Sequence, residues 1–283
     1  MTARDTSVKT VAFLGGGRIT SAILAGLNLV KHEYKLLVHD RNPEKLRQLK
    51  RLYAVSVEAN LWRAIADSDI LVAAVRPHSM RELLGNLQES PRSAATAGAK
   101  EFRRAARPLA ISLAAGVPLR TLRKYAGRFT WARAMPSPVG RFGKGLTALA
   151  FPHDFPRKDR KSMKDFFALI GTVIEIPEAK FDAFTVTYSS SHGYHALAAL
   201  ADSAQAMGLD RKTALLAAAH ALADGIIAWR EGKVRLEELL EEAATPGGIA
   251  AATLAAMDAS GYEKSVRRGL AAGLQRAREN AAK

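Results

Sequence analysis

The stretch VKTVAFLGGGRIT, residues 8–20, decides how the rest of the chain is read. Its first half is a short, apolar, β-branched run of strand character, and its second half opens an amphipathic helix, RITSAILAGLNLV. Between them Gly15, Gly17 and Thr20 stand in the spacing G-x-G-x-x-small. Gly15 permits a tight turn, Gly17 lets a backbone approach a pyrophosphate, and a small third residue lets the helix pack closely on the strand. The helix start also offers free N–H groups and a positive dipole end to an anion. The bland alternative is a strand–helix turn with no ligand. Asp40 argues against it, since it ends the next strand-like segment, YKLLVHD (34–40), about twenty residues on.

Asp40 and its neighbour Arg41 leave the kind of dinucleotide open. A carboxylate there accepts from a ribose 2′-OH and favours NAD, whereas Arg41 would hold a 2′-phosphate and favour NADP. The cofactor expected is therefore NADP or NAD, with NADPH preferred.

Working outward, strands and helices alternate. NPEKLRQLKRL is helical with Pro43 in a permitted first-turn position, and SDILVAAV (68–75) is a buried strand followed by the helical SMRELLGNLQ. RPLAISLAA (107–115) and FTWARAM (129–135) supply further strands, and GLTALAF (145–151) and GTVIEIP (171–177) bracket a helix around 158–170. The alternation predicts an α/β fold, with an N-terminal Rossmann-type domain on a mostly parallel sheet. After Pro177 the texture changes to Ala, Leu, Glu and Arg at helical spacing, broken at Gly208, Gly232, Pro246-Gly247-Gly248 and Gly261. That predicts an all-helical C-terminal domain whose alanine-rich helices suit an oligomer interface. The expected domains are residues 1–177 and 178–283.

Composition bounds the alternatives. The formal charge is +15, but its Lys and Arg residues are scattered, and no helix-turn-helix, zinc or RNA-recognition motif accompanies them. RKDRKSMK (157–164) and EFRRAARP (101–108) read as solvated helix faces. A basic protein also attracts small anions, dinucleotides and carboxylates among them. There is no cysteine, which removes disulfides and thiolate chemistry. The polar start MTARDTSVKT runs straight into a strand, and no uncharged apolar run reaches bilayer length. A cytoplasmic protein with no membrane, nucleic-acid or metal partner is expected.

Several ordered motifs then point one way. FLGGGRITSAILAGL resembles the opening F-x-G-x-G-x-M-x-x-A-I-x-x-G-L of the pyrroline-5-carboxylate reductase family. SDILVAAVRPHSM is similar to that family's strand ending V-K-P-H or V-K-P-Q, and ISLAAGVPLRTL to its S-x-A-A-G-V segment. RAMPSPVGRFGKGLTAL follows R-x-M-P-N-T-P-x-x-x-G-x-G-x-T-A-L without a gap. FDAFTVTYSSSHGYHALAALADSAQAMGL is similar to its D-A-x-T-x-x-S-G-S-G-P-A-Y helix, and TPGGIA to its S-P-G-G-T-T loop.

The resemblance implies a Rossmann domain plus a helical dimerisation domain interlocked with a second subunit in a homodimer or higher homo-oligomer, and reduction of a cyclic imine beside a carboxylate by NAD(P)H. It implies cofactor contacts from Gly15, Gly16, Gly17, Arg18 and Ile19, and from Asn60. Further contacts would come from Ala74, Val75, Arg76 and Pro77, and from Ala114, Ala115 and Gly116. Substrate contacts would come from Ser190 and Ser191, and from Thr245, Pro246, Gly247 and Gly248. The departures gather in the substrate motifs. Ser189 and Ser191 stand for glycines, His192 for proline, Ser137 and Pro138 for Asn and Thr, and Ala250 for a threonine whose hydroxyl approaches the imine nitrogen.

His192 is thus a candidate catalytic donor, against the plainer reading of a helix-start residue bonded to nearby backbone or water. His195 lies one turn on, without a carboxylate at matching spacing for a metal, and His220 reads as a packed helix residue. Two other functions stay open beside pyrroline-5-carboxylate reduction. One is the same fold acting on another imino or keto substrate, and the other is a dinucleotide-binding homologue without catalysis.

Overall fold

The computed structural model describes residues 8–88 and 109–282. The segment EFRRAARP and the first two residues of the strand expected over 107–115 lie outside them. Strand β1 (Thr10–Leu14) is a TVAFL run buried on both faces, as a central parallel strand must be. It is flanked by β2 (Lys35–His39) on one side and β4 (Ile70–Ala73) on the other, both parallel to it. The full order is β3-β2-β1-β4-β5-β6-β7-β8, with β3 at Ser56–Val57, β5 at Leu109–Ser112 and β6 at Thr130–Pro136. β7 (Gly145–Ala150) runs antiparallel to β6, and β8 (Gly171–Glu175) parallel to β7. The sheet is mostly parallel, as expected, and the antiparallel pair follows from the short turn joining β6 to β7.

Alternate residues of β1 feed two cores. Val11 and Phe13 join Ile23, Leu27, Val38, Leu49 and Phe166 on one face. These come from β2 and from helices α1 (Arg18–Leu27), α2 (Pro43–Leu52) and α6 (Arg157–Ala168). Ala12 and Leu14 join Ile65, Met80, Leu84, Leu122 and Trp131 on the other. That face is covered by α3 (Leu61–Ala66), α4 (Pro77–Gln88) and α5 (Leu119–Tyr125). Helix starts are fixed locally: the Asn42 side chain accepts from the Glu44 and Lys45 N–H groups, and Pro43 follows at the first helical position. A 3-10 turn, Pro138–Phe142, connects β6 to β7.

By compactness the chain divides between Thr185 and Val186, and residues from Leu274 onward rejoin the first unit. Helix α7 (Glu178–Thr187) stays largely with the sheet because Phe181 packs against Ala148 and Ala150. Arg133 strengthens this. Its side chain is 1% exposed, and its guanidinium donates to Glu178 (3.1 Å) and Asp182 (2.6 Å) and lies 4.1 Å over the Phe181 ring. The Arg133 Nε and Glu178 Oε2 atoms are buried without a hydrogen-bond partner, so the cluster is incompletely satisfied.

The second unit, Val186–Gly273, is helical. It holds α8 (Ser190–Ala206), α9 (Arg211–Gly232), α10 (Leu236–Ala243), α11 (Ile249–Ala259) and the start of α12 (Tyr262–Ala282). Ala201, Ala214 and Ala218 are its buried positions on α8 and α9, small residues that let these helices approach closely. No residue of α10 or α11 is buried within the chain. His220, expected to be packed, is exposed. Its ring lies 3.3 Å from Asp224 one turn on, and both side chains are about two-thirds exposed, at 65% and 67%.

Candidate dinucleotide site

The glycine loop sits where the strand order reverses, at the carboxyl ends of β1, β2 and β4. Gly15 takes φ of +111° and its N–H donates to the His39 carbonyl at 2.8 Å. A Cβ there would lie 2.9 Å from the Ala74 carbonyl oxygen, so backbone from all three strands closes around this residue. Gly16 donates to Asp40 Oδ2 at 2.8 Å, and a Cβ on it would meet Leu49 at 2.8 Å. Thr20 is fully buried and its hydroxyl donates to the Gly15 carbonyl at 2.6 Å. Gly17 differs. A Cβ on it would meet nothing within 4 Å, so no neighbouring protein atom requires glycine there. Its absence of side chain leaves the start of α1 bare, the cradle that a pyrophosphate fits. The residues present therefore suit a dinucleotide on geometry as well as on spacing.

Asp40 has a structural task that its sequence position did not reveal. Oδ2 accepts from Gly16 N–H and Oδ1 from Asn42 N–H at 2.8 Å, with the Lys45 ammonium 3.6 Å away. Burial raises its pKa, but the two backbone donors and Lys45 outweigh this and hold the carboxyl below its usual range. Arg41 points elsewhere, into an ion pair with Glu82 at 2.6 Å whose Arg41 side chain is 73% exposed. Such a pair contributes about 0–1 kcal/mol and yields readily to a better anion. Asn60 spends its side-chain oxygen on the Trp62 and Arg63 N–H groups at the start of α3, leaving its amide N–H₂ for other contacts.

Ala74 to Pro77 follow β4, and the Ala74 N–H donates to the Leu14 carbonyl. Ala114 to Gly116 follow β5, where Ala114 N–H donates to the Ser112 hydroxyl at 3.3 Å. Gly116 is required by the protein itself. Its φ is +73°, and a Cβ would lie 2.5 Å from the Ala277 carbonyl oxygen of α12. No local pattern in the sequence announces that long-range contact.

The expected substrate residues lie in the second unit, at two helix starts. Ser189 precedes α8, its hydroxyl 2.7 Å from that of Ser191. Its oxygen also accepts weakly from Ser191 N–H at 3.4 Å. His192 Nε2 lies 2.8 Å from the Val186 carbonyl oxygen, so that nitrogen carries the proton and donates. This matches the plainer reading of the histidine. Gly247 takes φ of +77°, and Gly248 donates to the Thr245 carbonyl at 2.9 Å, closing the turn before α11. Among the described residues no three His, Asp or Glu side chains converge as a metal site would require. No helix of these residues is long and apolar enough to cross a membrane.

Sheet, glycine loop and helical second unit together define a Rossmann-type protein of the dinucleotide-binding class. The family model for pyrroline-5-carboxylate reductase dimerisation matches residues 178–280, and that for coenzyme F420-dependent NADP oxidoreductase matches residues 10–96. A pyrroline-5-carboxylate reductase of Mycobacterium leprae is 31% identical over 77% of this chain and 72% of its own length. One from Synechocystis is 28% identical over 95% of this chain and 97% of its own. The Plasmodium falciparum pyrroline carboxylate reductase, solved with NADP bound, superposes with a TM-score of 0.81 at 18% identity, covering 96% of this chain and 98% of that one. The chain belongs to the pyrroline-5-carboxylate reductase family.

Proposed function

We propose that the chain is an NAD(P)H-dependent reductase of a cyclic imine, with pyrroline-5-carboxylate to proline as the default reaction. The observation that carries this is the glycine loop with its bare Gly17, found in a chain whose relatives of that name match it nearly end to end. A reduced nicotinamide, when bound, supplies the hydride. The protein's part is placement. Free N–H groups at the start of α1 hold the pyrophosphate, and Arg41 leaves Glu82 for a 2′-phosphate, which favours NADPH. The backbone N–H groups that open α11 after Gly248 are suited to the substrate carboxylate. A protonated imine is already electrophilic, so orientation can carry much of the rate.

Residues 1–177 are assigned to the cofactor, and 178–283 to substrate and to self-association in a cytoplasmic homodimer or larger homo-oligomer. The apolar side chains that α10 and α11 leave uncovered support the self-association.

The test is oxidation of NADPH and NADH with pyrroline-5-carboxylate, beside a cofactor titration. Turnover with NADPH ahead of NADH is expected; tight cofactor binding without turnover would sink the default reaction. A second reading, another cyclic imino acid as substrate, is favoured by Ser189 and Ser191 bonding to each other at the start of α8 and by the missing hydroxyl at Ala250. Loss of turnover in His192→Ala, with cofactor binding intact, would give that histidine a catalytic role. Retained turnover would leave it as the brace to Val186.

A further inference from the structure

Outside the glycine loop, a cavity of about 330 Å³ opens between α4, α5 and the last turn of α12. Its floor is apolar and buried, made by Met80, Leu84 and Val117. Its rim is cationic, with Arg81 on α4 and Arg120 and Lys124 on α5, all exposed. The spacing Pro77, Arg81, Leu84 on one helix and Val117, Arg120, Lys124 near the other puts each set on one stripe facing the gap.

No carboxylate lines the cavity among the described residues. Of the nearby acids, Glu82 pairs with Arg41, Asp154 with Arg123 and Glu279 with Arg276, while Glu178 caps the start of α5 at Leu119 and pairs with Arg133. Arg81 and Arg120 form no ion pair among the described residues, unlike their neighbours Arg41 and Arg123. Cations converging on a concave, apolar-floored site repel one another, and an anion seated between them relieves that repulsion.

We propose that this cavity is a second ligand site, taking a small organic anion. Its apolar body lies on Met80, Leu84 and Val117, and its charged end is held by the Arg81 and Arg120 guanidinium groups. Asn280 and Thr121 add neutral hydrogen-bonding groups at the edge. Of the residues assigned to the cofactor by resemblance, Pro77 alone lines the cavity, so the two sites are neighbours without being one. A bound anion bridges α4, α5 and the last turn of α12, and so holds that turn against the seat that Gly116 already makes for Ala277.

The probe is 2-naphthoate, titrated calorimetrically into the full chain with and without saturating NADPH. Inorganic phosphate and 2-naphthylmethylammonium serve as controls that lack the apolar body or reverse the charge. One saturable site per chain is expected, retained under saturating NADPH, with both controls at least tenfold weaker. Arg81→Gln/Arg120→Gln, both exposed and so harmless to folding, should weaken 2-naphthoate at least tenfold without moving the thermal midpoint. Hydrogen exchange at residues 275–282 should slow on binding. Displacement by NADPH, equal binding of phosphate, unchanged affinity in the double variant, or no saturable binding would each overturn the proposal. Thr121→Trp, which fills the cavity from its edge, should abolish the site; retained binding in that variant counts against it equally.

Discussion

A methyl group added at Gly15 and one added at Gly17 meet different surroundings, although the two glycines belong to one motif. At Gly15 it would strike the Ala74 carbonyl at 2.9 Å on a backbone already at positive φ. Gly15→Ala should therefore lower the unfolding free energy by about 1–3 kcal/mol, read by chemical denaturation. At Gly17 it meets nothing, so Gly17→Ala should cost no more than about 1 kcal/mol, from the poorer helix N-cap, while NADPH affinity falls at least tenfold in a fluorescence titration. Asp40 gives a pH signature. Its folded pKa is depressed, so its contribution is complete above the ordinary carboxylate range and is lost only as pH falls through the lower folded value. The stability gap between the parent and Asp40→Asn should stay constant from pH 7 to pH 5 and close in stronger acid, as urea melts across that range would show. The glycines and Asp40 were legible from spacing. That Asp40 binds the loop rather than standing free was not, because Gly16 and Asp40 meet only once β1 and β2 are paired.

Among the elements, the packing of α1 on the 3-10 turn is set by side chains that are missing. A Cβ on Gly26 would lie 2.1 Å from the Gly140 carbonyl oxygen, and one on Gly145 would lie 2.8 Å from Gly140 backbone. This glycine seam fixes the turn that carries Ser137 and Pro138, so Gly26→Ala should cost about 2–3 kcal/mol, with thermal unfolding as the measure. The strands and long helices were readable from apolar runs and turn residues. The elements without such marks were not: β3 is two residues long, α3 and α5 are short, and the seam is written in glycines far apart in sequence. The buried Arg133 was unreadable for the same reason, since Glu178 and Asp182 reach it only after the sheet has formed.

At the scale of the whole molecule, the helical unit is short of interior. Ile226, Ile227, Trp229, Leu236, Leu240 and Ile249, the last 89% exposed, lie uncovered on helices that bury almost nothing within the chain. Isolated helices of this length gain little without an apolar face to pack, so a second copy is the natural cover. The thermal midpoint of the parent should rise with protein concentration, and Ile226→Glu/Trp229→Glu should abolish that dependence and shift light scattering towards the monomer mass. The alanine-rich texture after Pro177 showed that this part is helical. It did not show which faces are bare, because alanine serves an intrachain contact and an exposed surface equally well. The route of the chain has a further effect. It enters the helical unit at Val186 and leaves at Gly273, where a Cβ on Gly273 would touch the Val186 side chain at 3.3 Å. Beyond it, Ala277 and Asn280 are clasped at Gly116 in the first unit. A single protease cut between Val186 and Gly273 therefore leaves each fragment with a segment that belongs to the first unit, one through Thr185 and the other from Leu274 onward, so limited proteolysis should need two cuts to free helical fragments from it.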